Sequence, residues 1–238
     1  MKLCLCFRLA TGLAALLVAG HLSAQEIGAS KAAPTQTKPA EQTKPAEAAT
    51  QPKSNPASSS DVSSYFPLIP KSKWVYKVQD QSVEVLVDKD EKFKDEKCTK
   101  VDTLVSGKVV ASELYCVKSD GLYRVKVKDD EINPPVQVLP QSIQKGKSWE
   151  INSKVGTQGG QLVKGTFRIV NDKEKIKVPA GEFEAVLVEG TDMDVGGTKT
   201  TVRLWFAKGV GLVKLSYKIA DTESTLELEK YEPATVKG

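Results

Sequence analysis

The chain has 238 residues, with 34 Lys and Arg against 30 Asp and Glu, a formal net charge of +4, 40% hydrophobic and 6% aromatic residues. That suffices for one ordinary core and excludes a polytopic membrane protein, a collagen and a chain disordered throughout. The one histidine, His21, lies where a signal would be removed, so a mature chain has no His-based triad, no His-ligated zinc and no imidazole proton shuttle.

Residues 1–24 read as an export signal. Lys2 and Arg8 supply the positive start, Leu9 to Gly20 is an apolar run, and Leu22-Ser23-Ala24 offers a cut before Gln25. The run is shorter than the ~20 residues a spanning helix needs. Cys4 and Cys6 lie inside the segment, and no cysteine follows the run where a lipoprotein carries its acylated one. The expected location is periplasmic or secreted; tethering to the inner membrane by an uncleaved signal is the alternative. Residues 25–64 are rich in Ala, Pro, Thr, Lys, Gln and Ser and contain the tandem Gln36-Thr-Lys-Pro-Ala-Glu41 and Gln42-Thr-Lys-Pro-Ala-Glu47. Such a stretch buries too little to offset chain entropy and is predicted to be a disordered linker.

From residue 65 to 232 the polarity alternates with period two between turn residues, which predicts an all-β antiparallel meander. About 10–12 strands would form a curved sheet, a half-barrel or a barrel. The predicted strands are 74–80, 82–89, 97–105, 109–118, 121–128, 148–155, 161–170, 173–178, 183–192, 198–206, 211–220 and 223–231, with a flexible tail over 233–238. Asp130 to Ser148, containing Asn133-Pro134-Pro135 and Pro140, reads as the longest connection.

Cys98 and Cys116 remain as an even pair in an exported chain and flank Ser106-Gly107-Lys108. A cross-strand disulfide needs an odd-length loop or a bulge, with Gly107 at positive φ, because a plain two-residue turn would put the sulfurs on opposite faces. Near the C-terminus, a turn at Lys208-Gly209 would set Leu204 opposite Val213 and Val202 opposite Leu215. A turn at Asp221-Thr222 would set Leu215 opposite Leu228 and Tyr217 opposite Leu226. Arg203, Lys214 and Glu229 would then share an outward row.

An internal duplication is also hinted at. Phe66-Pro67-Leu68 leads through Lys71-Ser72 to Trp74, and Leu139-Pro140 leads through Lys147-Ser148 to Trp149. Gly121-Leu122 and Gly211-Leu212 form a second matching pair. Two uses are open for Trp74, Trp149 and Trp205: packing over the ends of the core, or lining the mouth of an apolar ligand site.

Tyr65-Phe66-Pro67-Leu68 with Trp74, Val178-Pro179-Ala180-Gly181-Glu182-Phe183 and Trp205-Phe206-Ala207-Lys208-Gly209-Val210-Gly211-Leu212-Val213-Lys214 resemble exported bacterial proteins of unknown function. Those share a Pro-Leu…Trp opening, a V-P-A-G-x-F turn and a W-x-A-x-G-V-G-L-V-K hairpin; Ser72 stands where a glycine is common. The strand pattern is also similar to that of periplasmic lipoprotein carriers, whose half-barrels hold acyl chains beneath helices. The resemblance brings no catalytic residues.

Glu182/Glu184 and Asp192/Asp194 are the carboxylate pairs at strand spacing, and Asp192-Met-Asp194-Val-Gly-Gly has two acidic ligands before glycines. Neither constellation is complete, so no catalytic residue, metal or cofactor is expected. Arg124, Lys126, Lys128, Arg203 and Lys214 form a candidate basic docking face. With four arginines in the chain, nucleic acid is not an expected partner. The sequence thus points to a monomeric, non-catalytic domain of the cell envelope. It would bind an apolar ligand such as a lipid, an anionic envelope polymer or a partner protein; a filled structural or interaction domain is the second reading and a carboxylate hydrolase the third.

Overall fold

The computed structural model describes residues 61–156, 160–219 and 222–234. The signal over 1–24, the linker up to residue 60 and residues 235–238 of the tail lie outside the described residues. Twelve strands follow one another: β1 (Lys73–Val78), β2 (Gln81–Phe93), β3 (Glu96–Val105), β4 (Lys108–Lys118), β5 (Gly121–Val127), β6 (Asp130–Pro140), β7 (Ser148–Val155), β8 (Gln161–Val178), β9 (Gly181–Val195), β10 (Thr198–Ala207), β11 (Gly211–Ile219) and β12 (Thr222–Glu232). Each pairs antiparallel with its chain neighbours, and β12 returns to β1, so the sheet closes into a barrel.

Alternation sorts the wall. Val202, Leu204, Leu215, Tyr217, Leu226 and Leu228 are buried, while Lys199, Thr201 and Arg203 between them are exposed. This polarity is the reverse of a membrane-spanning barrel, whose lipid-facing side is apolar. Among the described residues no helix is long and apolar enough to cross a membrane.

Two predicted elements change. The expected connection at 130–148 contains β6, whose Ile132, Val136 and Leu139 are buried. Its prolines remove ladder donors; Pro134 and Pro135 are tolerated because neither has a partner on β5 or on β7. The two strands expected at 161–170 and 173–178 are one, β8, whose pairing with β9 shifts at Ile169/Asn171 and again at Asn171/Glu174. The described fold also takes in residues before Tyr65. Residues 61–64, assigned above to the disordered linker, include a 3-10 turn at Val62–Ser64, because Val62 is fully buried and Asp61 accepts from the Ser63 amide at 3.1 Å. Phe66 then enters the barrel end, 5.3 Å from the Tyr115 ring and 6.2 Å from those of Trp74 and Phe206.

The C-terminal registers differ from the predicted ones by two residues. Leu204 faces Leu215 and Val202 faces Tyr217, while Leu215 faces Leu226 and Tyr217 faces Ser224. A bulge at Trp205/Phe206 and a turn closing at Ala207↔Gly211 set the first register; the pairing of Ile219 with Thr222 fixes the second. An even slip keeps every side chain on its face, so the hydrophobic sorting survives the error. The outward row changes: Lys214 bridges Glu227 at 2.8 Å instead of neighbouring Glu229, and Arg203 bridges Glu189 at 3.0 Å.

Cys98 and Cys116 are joined, with their Cα atoms 4.2 Å apart. The turn is the two-residue Ser106-Gly107, both at positive φ (51° and 73°), as hairpin twist favours. A bulge between Thr103 and Leu104 shifts the register by one, so that Thr99 faces Tyr115 and the cysteines next to them face each other. Of the two devices the sequence allowed, the bulge is the one used.

The matched motifs fall at equivalent places in two six-strand halves. Trp74 and Trp149 are the second residues of β1 and β7, and Gly121-Leu122 and Gly211-Leu212 open β5 and β11. The halves meet at two seams, β12–β1 and β6–β7. Trp74 stacks on Tyr231 across the first, and Trp149 donates its indole N–H to the Gln137 carbonyl across the second, at 2.9 Å.

Replacing both Cys98 and Cys116 by alanine should lower the unfolding free energy by about 3 kcal/mol, the value for closing a loop of this size. Urea denaturation of the oxidised protein and the variant measures this; coincident midpoints would contradict it.

Candidate functional site

The barrel interior is the natural place for a ligand, and it is nearly full. A cavity of about 50 Å³ remains, lined by Phe66, Phe167, Met193, Phe206 and other apolar side chains together with Tyr115 and Arg124. It is a third of the roughly 150 Å³ that admits benzene in an apolar core.

The polar part of this lining is a buried cluster that the sequence did not announce. Arg124 donates to Glu113 Oε1 at 2.7 Å, and the Tyr115 hydroxyl donates to Glu113 Oε2 at 2.7 Å; all three side chains are buried. Arg124 was expected on an outward basic face with Lys126 and Lys128. A bulge in the β4–β5 ladder sets Arg124 opposite Tyr115 and Lys126 opposite Leu114, so Arg124 points inward beside Leu122. Burial disfavours the Arg124 charge, and the Glu113 carboxylate with the Tyr115 oxygen more than offsets this, so its pKa is raised. Burial, and then the charge of Glu113, hold the Tyr115 phenol well above its ordinary value. Tyr76, whose hydroxyl donates to the Leu212 carbonyl at 2.8 Å, is raised by burial alone. Breaking one side of such a buried pair costs about 3–5 kcal/mol, because it leaves an uncompensated buried charge.

The other members of the expected basic face are dispersed. Lys126 lies on β5 and Lys128 in the turn after it, while Arg203 and Lys214 are each paired with a glutamate. None of the three tryptophans is among the residues lining the cavity. Trp74 is buried and donates to the Val210 carbonyl at 2.6 Å; Trp149 donates to Gln137, as above. Trp205 donates to Glu174 Oε1 at 3.0 Å and lies under the Lys214 ammonium, 5.7 Å from its ring centre. The tip of the β8–β9 hairpin helps to cover this region. The Ala180 amide donates to the Leu228 carbonyl of β12 at 2.8 Å, reaching past β10 and β11, and Val178 is buried.

The carboxylate pairs act locally. Glu182 lies 3.7 Å from Lys177 on that exposed hairpin. Asp194 accepts from the Gly197 amide at 2.8 Å and lies 3.5 Å from Lys199, so it serves the β9–β10 turn, while Met193 beside it is buried. Glu96, Cys98 and Cys116 bring ligand atoms within 4.8 Å of one another, but the sulfurs are bonded to each other and Glu96 is held by Lys118 at 2.8 Å. The cystine, with Leu114 and Val125, forms a small second core against Phe93 and Tyr123. Burial and then a hydrogen bond to Asp120 push the Tyr123 phenol to about 12.

The DUF3108-like family model matches residues 74–218, from the second residue of β1 into β11. The chain belongs to the DUF3108-like family. That family has no established function, in agreement with the resemblance carried by the proline, glycine and tryptophan motifs. Two solved structures are similar. A protein provisionally described as a lipoprotein, from Parabacteroides distasonis ATCC 8503, is 14% identical, with 71% of this chain and 98% of that one covered and a TM-score of 0.47. A protein provisionally described as exported, with a YmcC-like fold, from Bacteroides fragilis NCTC 9343, is 12% identical, with 69% and 97% covered and a TM-score of 0.39. No curated protein matches the chain.

The raised phenols of Tyr76 and Tyr115 predict an alkaline limit. A raised folded-state pKa contributes stability that is complete below the unfolded value near 10 and is lost as pH rises above it, at about 1.4 kcal/mol per pH unit for each group. In a titration of phenolate absorbance, Tyr76 and Tyr115 should ionise only together with loss of the β-sheet circular dichroism signal. Ionisation of Tyr76 or Tyr115 near pH 10 in a still-folded barrel would contradict the burial described.

Proposed function

We propose that this chain is an exported, non-catalytic interaction module of the cell envelope: a filled barrel, presented on a long polar leader, that recognises a partner on its outer surface. The observation that carries this reading is the interior volume of about 50 Å³. Sites for small molecules usually measure about 300–1,000 Å³. An apolar-ligand carrier would need Phe66, Phe167 and Phe206 to leave the core together. The signal-like residues 1–24 support export, as does a cystine of the kind that persists in oxidising compartments. The carboxylate-hydrolase reading has little support, because Glu182 sits on an exposed hairpin beside a lysine and Asp194 serves a turn.

Mass spectrometry of an organic extract of the purified mature protein tests this directly. The expected result is no lipid in stoichiometric amount and no uptake of a fluorescent fatty acid. One acyl chain per molecule would overturn the filled-module reading in favour of the carrier.

A further inference from the structure

The wall of the barrel is complete except at one place. Every neighbouring pair of strands is joined over five or more residue pairs, apart from β6 and β7, which share Ile132↔Val155 and Asn133↔Lys154. Beyond these two pairs the ladder stops, while both strands continue, to Pro140 and back to Ser148. The equivalent seam between the halves, β12–β1, is zipped from Lys73↔Glu232 to Lys77↔Glu227. Pro134 and Pro135 follow directly on the last paired residue of β6, and without N–H groups they cannot extend the ladder. The Gln137 carbonyl is taken by the Trp149 indole instead of by a β7 amide.

This leaves an edge on β7. The Gly156 amide donates to Glu131 of β6 and the Ile169 amide of β8 donates to Lys147, so the backbone of even-numbered β7 residues faces β6. The amides and carbonyls of Ser148, Glu150 and Asn152 therefore face the unzipped stretch, and their side chains are exposed. An unpaired strand edge is a template for an extended chain, because it offers donors and acceptors at strand spacing.

The charge around the edge selects the kind of chain. Lys145, Lys147, Lys154, Lys164 and Arg168 are exposed, and among the described residues none of them is in an ion pair. Ser148 stands opposite Arg168, and Asn152 opposite Lys164. The anions that face the two β8 cations from β9, Glu189 and Asp194, are already engaged by Arg203 at 3.0 Å and Lys199 at 3.5 Å. Glu150, Asp172, which receives the Lys145 amide at 3.4 Å, and Asp130, whose carboxylate lies against Gly156 just after β7, are the remaining acidic groups nearby. Alternating polarity did not reveal this patch, because each cation sits on an ordinary outward position.

We infer that the free edge of β7 receives an extended, acidic segment of a partner protein, which pairs with the backbone of residues 148–152 while its carboxylates meet the surrounding lysines and Arg168. This rests on the proposed outer-surface recognition and names its place and partner chemistry.

The test uses the mature chain and three probes in fluorescence anisotropy: a labelled decapeptide of alternating valine and glutamate, the same peptide N-methylated at alternate residues, and polyphosphate. The first should bind with a dissociation constant on the order of micromolar and weaken with added salt. N-methylation should weaken it about tenfold or more, the loss expected when backbone donors are removed. Hydrogen exchange should show the Glu150 and Asn152 amides exchanging faster than those of Ile151 and Ser153 in the free protein, and slowing on binding. The variant Lys154→Glu/Arg168→Glu should lose affinity for the peptide with its melting temperature unchanged. Absence of peptide binding, indifference to N-methylation, or polyphosphate bound as tightly as the peptide would each overturn the inference, the last in favour of a simple polyanion surface. A stoichiometric lipid in the extract would instead strike at the filled module, independently of the peptide result.

Discussion

The pairing of β1 with β12 is the constraint on which the rest of the structure depends. An up-and-down sheet of twelve strands has two open edges until its first strand finds its last, and open edges invite aggregation. Here the two meet through Trp74 on Tyr231, with ring centres 5.5 Å apart, and the indole N–H reaches on to the Val210 carbonyl before β11. Tyr76 does the same one turn of the pleat further on, from β1 to the Leu212 carbonyl. Closure therefore ties the N-terminal strand to β11 as well as to β12, across 136 residues of sequence. It also creates the barrel end that Val62 and Phe66 fill.

Closure has a cost in the interior. A barrel of this circumference must either hold a ligand or fill itself with large side chains. This one fills itself with aromatic rings, Met193 and the Arg124–Glu113–Tyr115 cluster, in which Arg124 and Tyr115 both donate to Glu113. Around the outside, the ladder between neighbouring strands runs over five or more residue pairs except where β6 and β7 part. The pseudo-symmetry of the two halves makes that exception informative: the same junction is zipped at β12–β1 and interrupted by prolines at β6–β7.

Much of the architecture was legible from polarity alone. The period-two pattern of residues 198–231 gave the faces correctly even though both registers slipped, since an even slip is invisible to inside-outside sorting. The cystine was legible from parity and compartment, and the geometry of opposed sulfurs required an odd-length loop or a bulge without choosing between them. What escaped detection depends on local irregularities. Arg124 looked like the start of a basic row with Lys126 and Lys128, and the bulge that turns it inward leaves no signature in composition. One signal was present: if Cys116 faces one side, Glu113 and Tyr115 face the other, and a buried glutamate needs a cation. The prolines of β6 were read as a connection because proline argues against a paired strand; they mark a strand that is paired on one side over most of its length. The unpaired cations around β7 became visible only when the ion pairs of their neighbours were known.

Interstrand nuclear Overhauser contacts between β1 and β12 test the closure most directly. The account predicts backbone proton contacts for Trp74 with Tyr231 and for Val75 with Lys230, the pairs set opposite one another at the seam. A folded protein with a full set of β11–β12 contacts and none between β12 and β1 would show an open sheet and contradict it.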